Sequence, residues 1–218
     1  IVNTSAHFIH LILLSDDAHN CRVVGCFVRK IGTGNYCTGG IVKYNANYDM
    51  YVVNNICYSN ATYSHVQNSG IRIGDATKFG NTIAYNNTVY GFAYGIRADA
   101  PPAVFKNNLC QNQSIQSYVL GSYPASGDYN LSGDSYSTEG SNDRTNKTVT
   151  FVDVSNYDFH LSSSDTEARG YGTNLYNDSY IAFQTDIDGQ DRGGSGATWD
   201  IGADEYVAAY PYYAYAQQ

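Results

Sequence analysis

Arg72 and Arg97 each close a Gly-Ile-Arg phrase, Gly70-Ile71-Arg72 and Gly95-Ile96-Arg97, with carboxylates following at Asp75 and Asp99 and an amine close by at Lys78. Guanidinium groups beside carboxylates and an amine can hold an anionic ligand and move a proton. If the two phrases are consecutive turns of a parallel stack, the arginines stand about 5 Å apart on one face. The same residues also make a self-satisfied Arg/Asp ladder on a solvent-facing sheet, whose pairs contribute little. That plainer reading is favoured.

Other candidate chemistry is thinner. Asp186-x-Asp188-Gly189 with Asp191 suggests a calcium loop but lacks the EF-type ligand spacing, and a structural turn is the simpler reading. His7, His10, His19, His65 and His160 show no metal-ligand spacing, so no metal ligand is assigned. No Gly-x-Ser-x-Gly elbow and no phosphate-cradling loop occurs.

The elements that must position these residues are legible from recurrence. Asn54-Asn55-Ile56-Cys57, Asn86-Asn87-Thr88-Val89 and Asn107-Asn108-Leu109-Cys110 repeat one phrase, with an echo at Asp128-Tyr129-Asn130-Leu131. From Asn55 the second asparagine steps by 32, 21 and 22 residues to Asn87, Asn108 and Asn130. The Gly-Ile phrase interleaves with it, stepping from Ile41 to Ile71, Ile96 and Val119. Ile12 and Cys26 fit the same rhythm upstream. Two phrases recurring together are one unit repeated. The segments between breakers are short, β-branched and aromatic, and no 3.6-residue periodicity spans a unit. The chain is therefore all-β: a right-handed parallel β-helix of about five coils, followed by an irregular C-terminal region and an extended tail. The paired asparagines read as a hydrogen-bonded ladder at a repeated bend rather than as a site.

Composition agrees with that class. There are 22 Tyr, 21 Gly and 21 Asn, charged residues are 15%, and the net charge is −8, which argues against nucleic acid as a partner. No apolar run approaches the ~20 residues of a spanning helix. The five cysteines leave at least one unpaired; Cys57 and Cys110 hold equivalent buried places, and one bridge among Cys21, Cys26 and Cys37 is open. Of seven Asn-x-Ser/Thr acceptors, Asn3, Asn60, Asn86, Asn112, Asn130, Asn146 and Asn177, the loop-like Asn60, Asn112, Asn146 and Asn177 are the better glycosylation candidates. Ile1 follows no basic leader, so an already removed secretion signal and an extracellular or cell-surface location are expected.

The chain divides into coils over 1–131, a polar excursion over 132–150, a closing segment over 151–206 and a Tyr-rich tail over 207–218. Asp158-Phe159-His160-Leu161, Thr185-Asp186-Ile187-Asp188-Gly189 and Asp200-Ile201-Gly202-Ala203-Asp204-Glu205-Tyr206 punctuate the third part. This run resembles the C-terminal segment of secreted right-handed parallel β-helix proteins of the pectate-lyase-like superfamily. The chain departs from them at residues 162–169, where the family usually carries a Pro-containing turn. The resemblance implies polysaccharide cleavage by a lyase or glycosidase, with Arg72, Arg97, Asp75, Asp99 and Lys78 as catalytic candidates and calcium only under the lyase reading. No cofactor is otherwise expected.

Two features pull away from an enzyme. Ile1 leads almost directly into a coil with no amphipathic cap, and an uncovered solenoid end exposes strand edges. The tail is uncharged and carries Tyr210, Tyr212, Tyr213 and Tyr215, suited to addition along a neighbour. The leading expectation is an extracellular structural subunit that self-assembles head to tail into a fibre, with glycans on its loops. The alternatives are a carbohydrate-active enzyme, or a fragment of one, acting on an acidic polysaccharide, and a non-catalytic glycan-binding or adhesin stalk.

Overall fold

The computed structural model describes residues 10–15, 20–31, 39–44, 48–60, 68–74, 80–99, 102–121 and 125–208. The first coil carries β1 (His10–Ser15), β2 (Cys21–Val24) and β3 (Phe27–Lys30), and the second β4 (Gly39–Tyr44), β5 (Met50–Val53) and β6 (Ile56–Ser59). The third carries β7 (Ser69–Ile73), β8 (Thr82–Tyr85) and β9 (Thr88–Tyr90). The fourth carries β10 (Tyr94–Ala98), β11 (Ala103–Lys106) and β12 (Leu109–Gln111). The fifth carries β13 (Gln116–Leu120), β14 (Ala125–Asp128) and β15 (Leu131–Ser132). Equivalent strands pair in parallel into three five-stranded sheets, in the orders β1-β4-β7-β10-β13, β2-β5-β8-β11-β14 and β3-β6-β9-β12-β15. The chain is a parallel β-helix.

Register stacks like on like. Ile12, Ile41, Ile71 and Ile96 form one inward column, and Val28, Cys57, Val89 and Cys110 form another on the third sheet. The glycine of the Gly-Ile phrase is needed where these columns meet. A Cβ on Gly95 would lie 2.6 Å from the Cys110 sulfur and collide with the Ser117 carbonyl. One expectation shifts by a residue: Tyr118, not Val119, continues the isoleucine column. A phenol fits there because its hydroxyl donates to the Asn108 carbonyl at 2.8 Å while its ring stays buried.

The Asn-Asn phrase turns out to do two jobs. Its first residue makes the bend between the second and third sheets in left-handed backbone: φ is 53° at Asn54, 49° at Asn86 and 55° at Asn107, with Gly25 and Tyr129 filling the equivalent places in the end coils. Its second residue points inward and builds a ladder. Asn55 Nδ2 donates to Asn87 Oδ1 at 3.0 Å, Asn87 to Asn108 at 2.9 Å and Asn108 to Asn130 at 3.0 Å. The same Oδ1 atoms accept the backbone N–H of the preceding rung, so each buried amide is satisfied on both sides.

Residues 132–147, expected to leave the solenoid, instead fold over its last coil. Asp143 Oδ1 accepts the Asn130 N–H at 2.9 Å, and Thr138 takes an Asn130 Nδ2 hydrogen at 2.9 Å. Asp134 Oδ2 accepts the Ser117 N–H at 2.8 Å. The segment's many acceptors make it polar, and the unpaired donors of a final rung are what such acceptors satisfy.

The chain then returns along the outside of the coils. β16 (Phe151–Asp153) and β17 (Asp158–Leu161) pair antiparallel around a short 3-10 turn, Val154–Asn156. Phe159 packs against the outward rings of Phe27, Tyr58 and Tyr90, and Phe151 against Tyr90. Further on, Trp199 and Leu175 bury Val53, Ile83 and Tyr85 of the second sheet. The outer faces of the second and third sheets are thus clad by the closing segment.

Candidate functional site

Arg72 and Arg97 are direct register partners on β7 and β10, so the sequence placed them correctly on one face. Asp99 lies between them: its Oδ2 is 3.1 Å from Arg72 Nε and its Oδ1 2.7 Å from Arg97 Nε. One carboxylate therefore ties two guanidiniums. Tyr94 adds a ring 5.6 Å below Arg97. The register row they belong to is Leu13, Val42, Arg72, Arg97 and Val119, so the cationic stretch is two rungs long with apolar neighbours on both sides. Asp75 and Lys78 lie outside the described residues, as do Tyr210, Tyr212, Tyr213 and Tyr215 of the tail.

A second constellation escaped the sequence because its members are far apart along the chain. His160 Nδ1 is 2.5 Å from Asp158 Oδ1, and its Nε2 is 2.7 Å from Asp188 Oδ2. Asp204 stands beside them, buried, with its Oδ2 accepting the Leu161 N–H at 2.7 Å. His160, Asp188 and Asp204 are the residues able to share a metal ion among those described, having one ligand atom each within 4.8 Å of one another. The carboxylates that would favour a cation there also favour a proton on the ring. The hydrogen bond to Asp188 leads in raising the His160 pKa to about 10, while burial pushes Asp204 up to about 7. At neutral pH the ring is an imidazolium clamped by carboxylates, a structural pin for the β17 strand.

Arg192 is the other pin. Its side chain is fully enclosed, and Nη2 donates to the Ala203 carbonyl at 2.7 Å, the Gly202 carbonyl at 3.0 Å and Asn54 Oδ1 at 3.1 Å, while Nη1 meets Glu205 at 3.0 Å. The outward asparagines complete the attachment. Asn54 Nδ2 donates to the Thr185 carbonyl at 2.5 Å, Asn86 Nδ2 to the Gly202 carbonyl at 3.0 Å and Asn107 Nδ2 to the Thr173 carbonyl at 2.8 Å. The Asp186 loop is a turn: Oδ1 accepts the Asp188 and Gln190 N–H groups at 2.9 and 2.8 Å. Where the chain lacks a Pro-containing turn, Asp165 caps the bend by accepting the Thr150 and Ala168 N–H groups, both at 2.9 Å.

Lys43 also has a perturbed amine. Burial draws its pKa down to about 8, but Nζ bonds the Gly80 carbonyl at 2.8 Å inside the coil and offers no face to a substrate.

The described ends of the molecule differ. β1, β2 and β3 are terminal strands of their sheets, and Leu13, Val24, Phe27 and Ile31 beside them are exposed. Residues 20–31 carry Arg22, Arg29 and Lys30 and no carboxylate, whereas the opposite, covered end carries Asp128, Asp134, Glu139 and Asp143 against Arg144 and Lys147. Comparison with protein-family models, with curated proteins and with solved structures returns no match for this chain. No helix among the described residues is long and apolar enough to cross a membrane.

Proposed function

We propose that the chain is an extracellular β-helical structural subunit that assembles head to tail into a fibre, the first coil of one copy seating on the covered end of the next. The supporting observation is the unlikeness of the two ends. One presents three sheet-edge strands with exposed Leu13, Val24, Phe27 and Ile31 and, among its described residues, only basic charge. The other is closed by a segment richer in carboxylates than in bases. Unlike, complementary ends favour a heterologous contact, which propagates when it does not close into a ring. The uncharged, Tyr-rich sequence of residues 207–218 suits addition along a neighbour at the joint.

Electron microscopy of the purified full chain tests this reading. Fibres are expected, with Val24→Asp and Phe27→Asp reducing them to monomers and deletion of 207–218 shortening them. Monodisperse monomers of the unaltered chain at high concentration would sink the proposal.

The Arg72–Asp99–Arg97 unit favours a second reading, binding of an acidic glycan. Two guanidiniums share one carboxylate, so the unit keeps a net positive charge, and Tyr94 offers a ring beside it. Both Nε atoms are committed to Asp99, which leaves these arginines better suited to holding a carboxylate than to removing a proton. Titration with polygalacturonate and alginate separates the outcomes: binding lost in Arg72→Ala without an unsaturated product supports recognition, and ultraviolet-absorbing product supports a lyase.

A further inference from the structure

The seven Asn-x-Ser/Thr triplets are equivalent in sequence, but the fold does not treat them alike. Asn86 and Asn130 are buried within the coils. Asn86 Nδ2 bonds the Asp200 and Gly202 carbonyls at 3.2 and 3.0 Å, and Asn130 Nδ2 bonds Phe105 and Thr138 at 2.9 Å each. A sugar on either nitrogen would remove those bonds and occupy packed space.

Asn112 and Asn146 are the opposite case. Both are exposed, as are the hydroxyl residues of their triplets, Ser114 and Thr148. Both hold left-handed backbone, with φ of 61° and 56°, which turns the side chain out of the coil path. They also share one edge. The Gly91 N–H bonds the Gln111 carbonyl and the Gly133 N–H bonds the Cys110 carbonyl, which sets Gly91, Asn112 and Asp134 in one column where the chain leaves the third sheet. The Asn146 N–H bonds the Asp134 carbonyl at 2.7 Å, one layer further on. Asn60, also exposed, leaves the same corner two coils earlier, after β6. At ~4.8 Å per layer, the three asparagines recur about every 10 Å along this edge. The closing segment clads the neighbouring sheet face but leaves all three exposed.

We propose that Asn112 and Asn146, with Asn60 at the same corner, are N-glycosylation acceptors whose oligosaccharides stand in a row along this edge, apart from the exposed Asn177 triplet, while Asn86 and Asn130 stay bare. The donor is an oligosaccharide carried on a polyprenyl pyrophosphate. The asparagine Nδ2 forms the new bond to the anomeric carbon, the anomeric C–O bond breaks, the polyprenyl pyrophosphate leaves with that electron pair, and the amide proton passes to a base of the transferase. Transfer to Asn86 or Asn130 before folding would break the rungs on which the coils depend, so folded, secreted molecules are depleted of it. The proposal is independent of fibre assembly.

The full chain, secreted from a eukaryotic host behind a generic signal peptide, is read by intact mass and by peptide mapping after enzymatic glycan release. Glycan is expected at Asn112 and Asn146, with Asn112→Gln and Asn146→Gln each losing the mass of one oligosaccharide. Ser114→Ala and Thr148→Ala, which keep the asparagines, should reproduce those losses. Bare Asn112 and Asn146 in the secreted chain, or glycan at Asn86 or Asn130 in folded material, would overturn the proposal.

Discussion

Asp143 stands where a fifth asparagine of the inner ladder would stand, its Oδ1 2.9 Å from the Asn130 backbone nitrogen. It accepts as each rung does, yet a carboxylate has no hydrogen to hand on. Its Oδ2 instead accepts the Thr138 N–H at 2.8 Å, the Thr138 hydroxyl at 2.7 Å and the Gly140 N–H at 3.2 Å. The ladder ends on a pure acceptor.

Replacing that acceptor should therefore uncap the fifth coil. Asp143→Ala leaves the buried Asn130 and Thr138 donors unpaired and is expected to cost about 2–4 kcal/mol in urea unfolding. Asp143→Asn keeps one acceptor oxygen and should cost roughly half as much. A change within about 0.5 kcal/mol for the alanine variant, the range of ordinary surface substitutions, would contradict the termination role.

Gly95→Ala tests the close approach of the first and third sheets. The new methyl meets the Cys110 sulfur at 2.6 Å and the Ser117 backbone, which cannot yield as a flexible side chain does. Overpacking of this kind costs about 1–3 kcal/mol. Thermal unfolding reads the loss, and pairing the change with Cys110→Ala should recover only part of it because the Ser117 carbonyl remains.

Arg192→Ala should detach the closing segment, at about 3–5 kcal/mol, because Glu205 and two backbone carbonyls lose their buried partner. Arg192→Lys is expected to rescue little, since one ammonium cannot span the Ala203, Gly202, Asn54 and Glu205 positions. Hydrogen exchange over 185–206 locates the effect; unaltered protection there would refute the clasp.

The pH dependence carries a definite sign. The His160 pKa, raised to about 10, contributes stability that is whole below the free imidazole value and fades as pH climbs toward 10. Asp204, raised to about 7 by burial, also binds its proton more tightly when folded, so ionising it as pH passes from about 4 to 7 costs stability in the same direction. Melting temperature should fall from pH 6.5 to 10, and His160→Gln should flatten that slope. A slope unchanged by His160→Gln would show that the ring carries no such charge.

The coil architecture was legible because it is written in recurrence: equivalent side chains stack, so a column such as Ile41, Ile71 and Ile96 repeats along the chain. The pairing of Arg72 with Arg97 came from the same rule. What recurrence could not show is anything made once. The His160–Asp188–Asp204 group and the Arg192 clasp join segments that meet only after the chain reverses, and no local spacing announces them. The cap was misread because a polar run looks the same whether it faces water or a row of unsatisfied amides. Tyr118 was displaced by one residue because its hydroxyl, not its hydropathy, earns it the inward column.

The outward asparagines also bear on how the molecule comes apart. A bare stack of coils has only nearest-neighbour contacts and can unzip from either end, one layer at a time. Here a strap fastened at Asn54, Asn86 and Asn107 binds the second, third and fourth layers to residues 66 to 131 positions later in the chain. No layer among these can peel without releasing the strap from the others. A structure assembled from repeats thereby acquires an all-or-none transition, and its mechanical weakness moves from the layers to the suture that joins them.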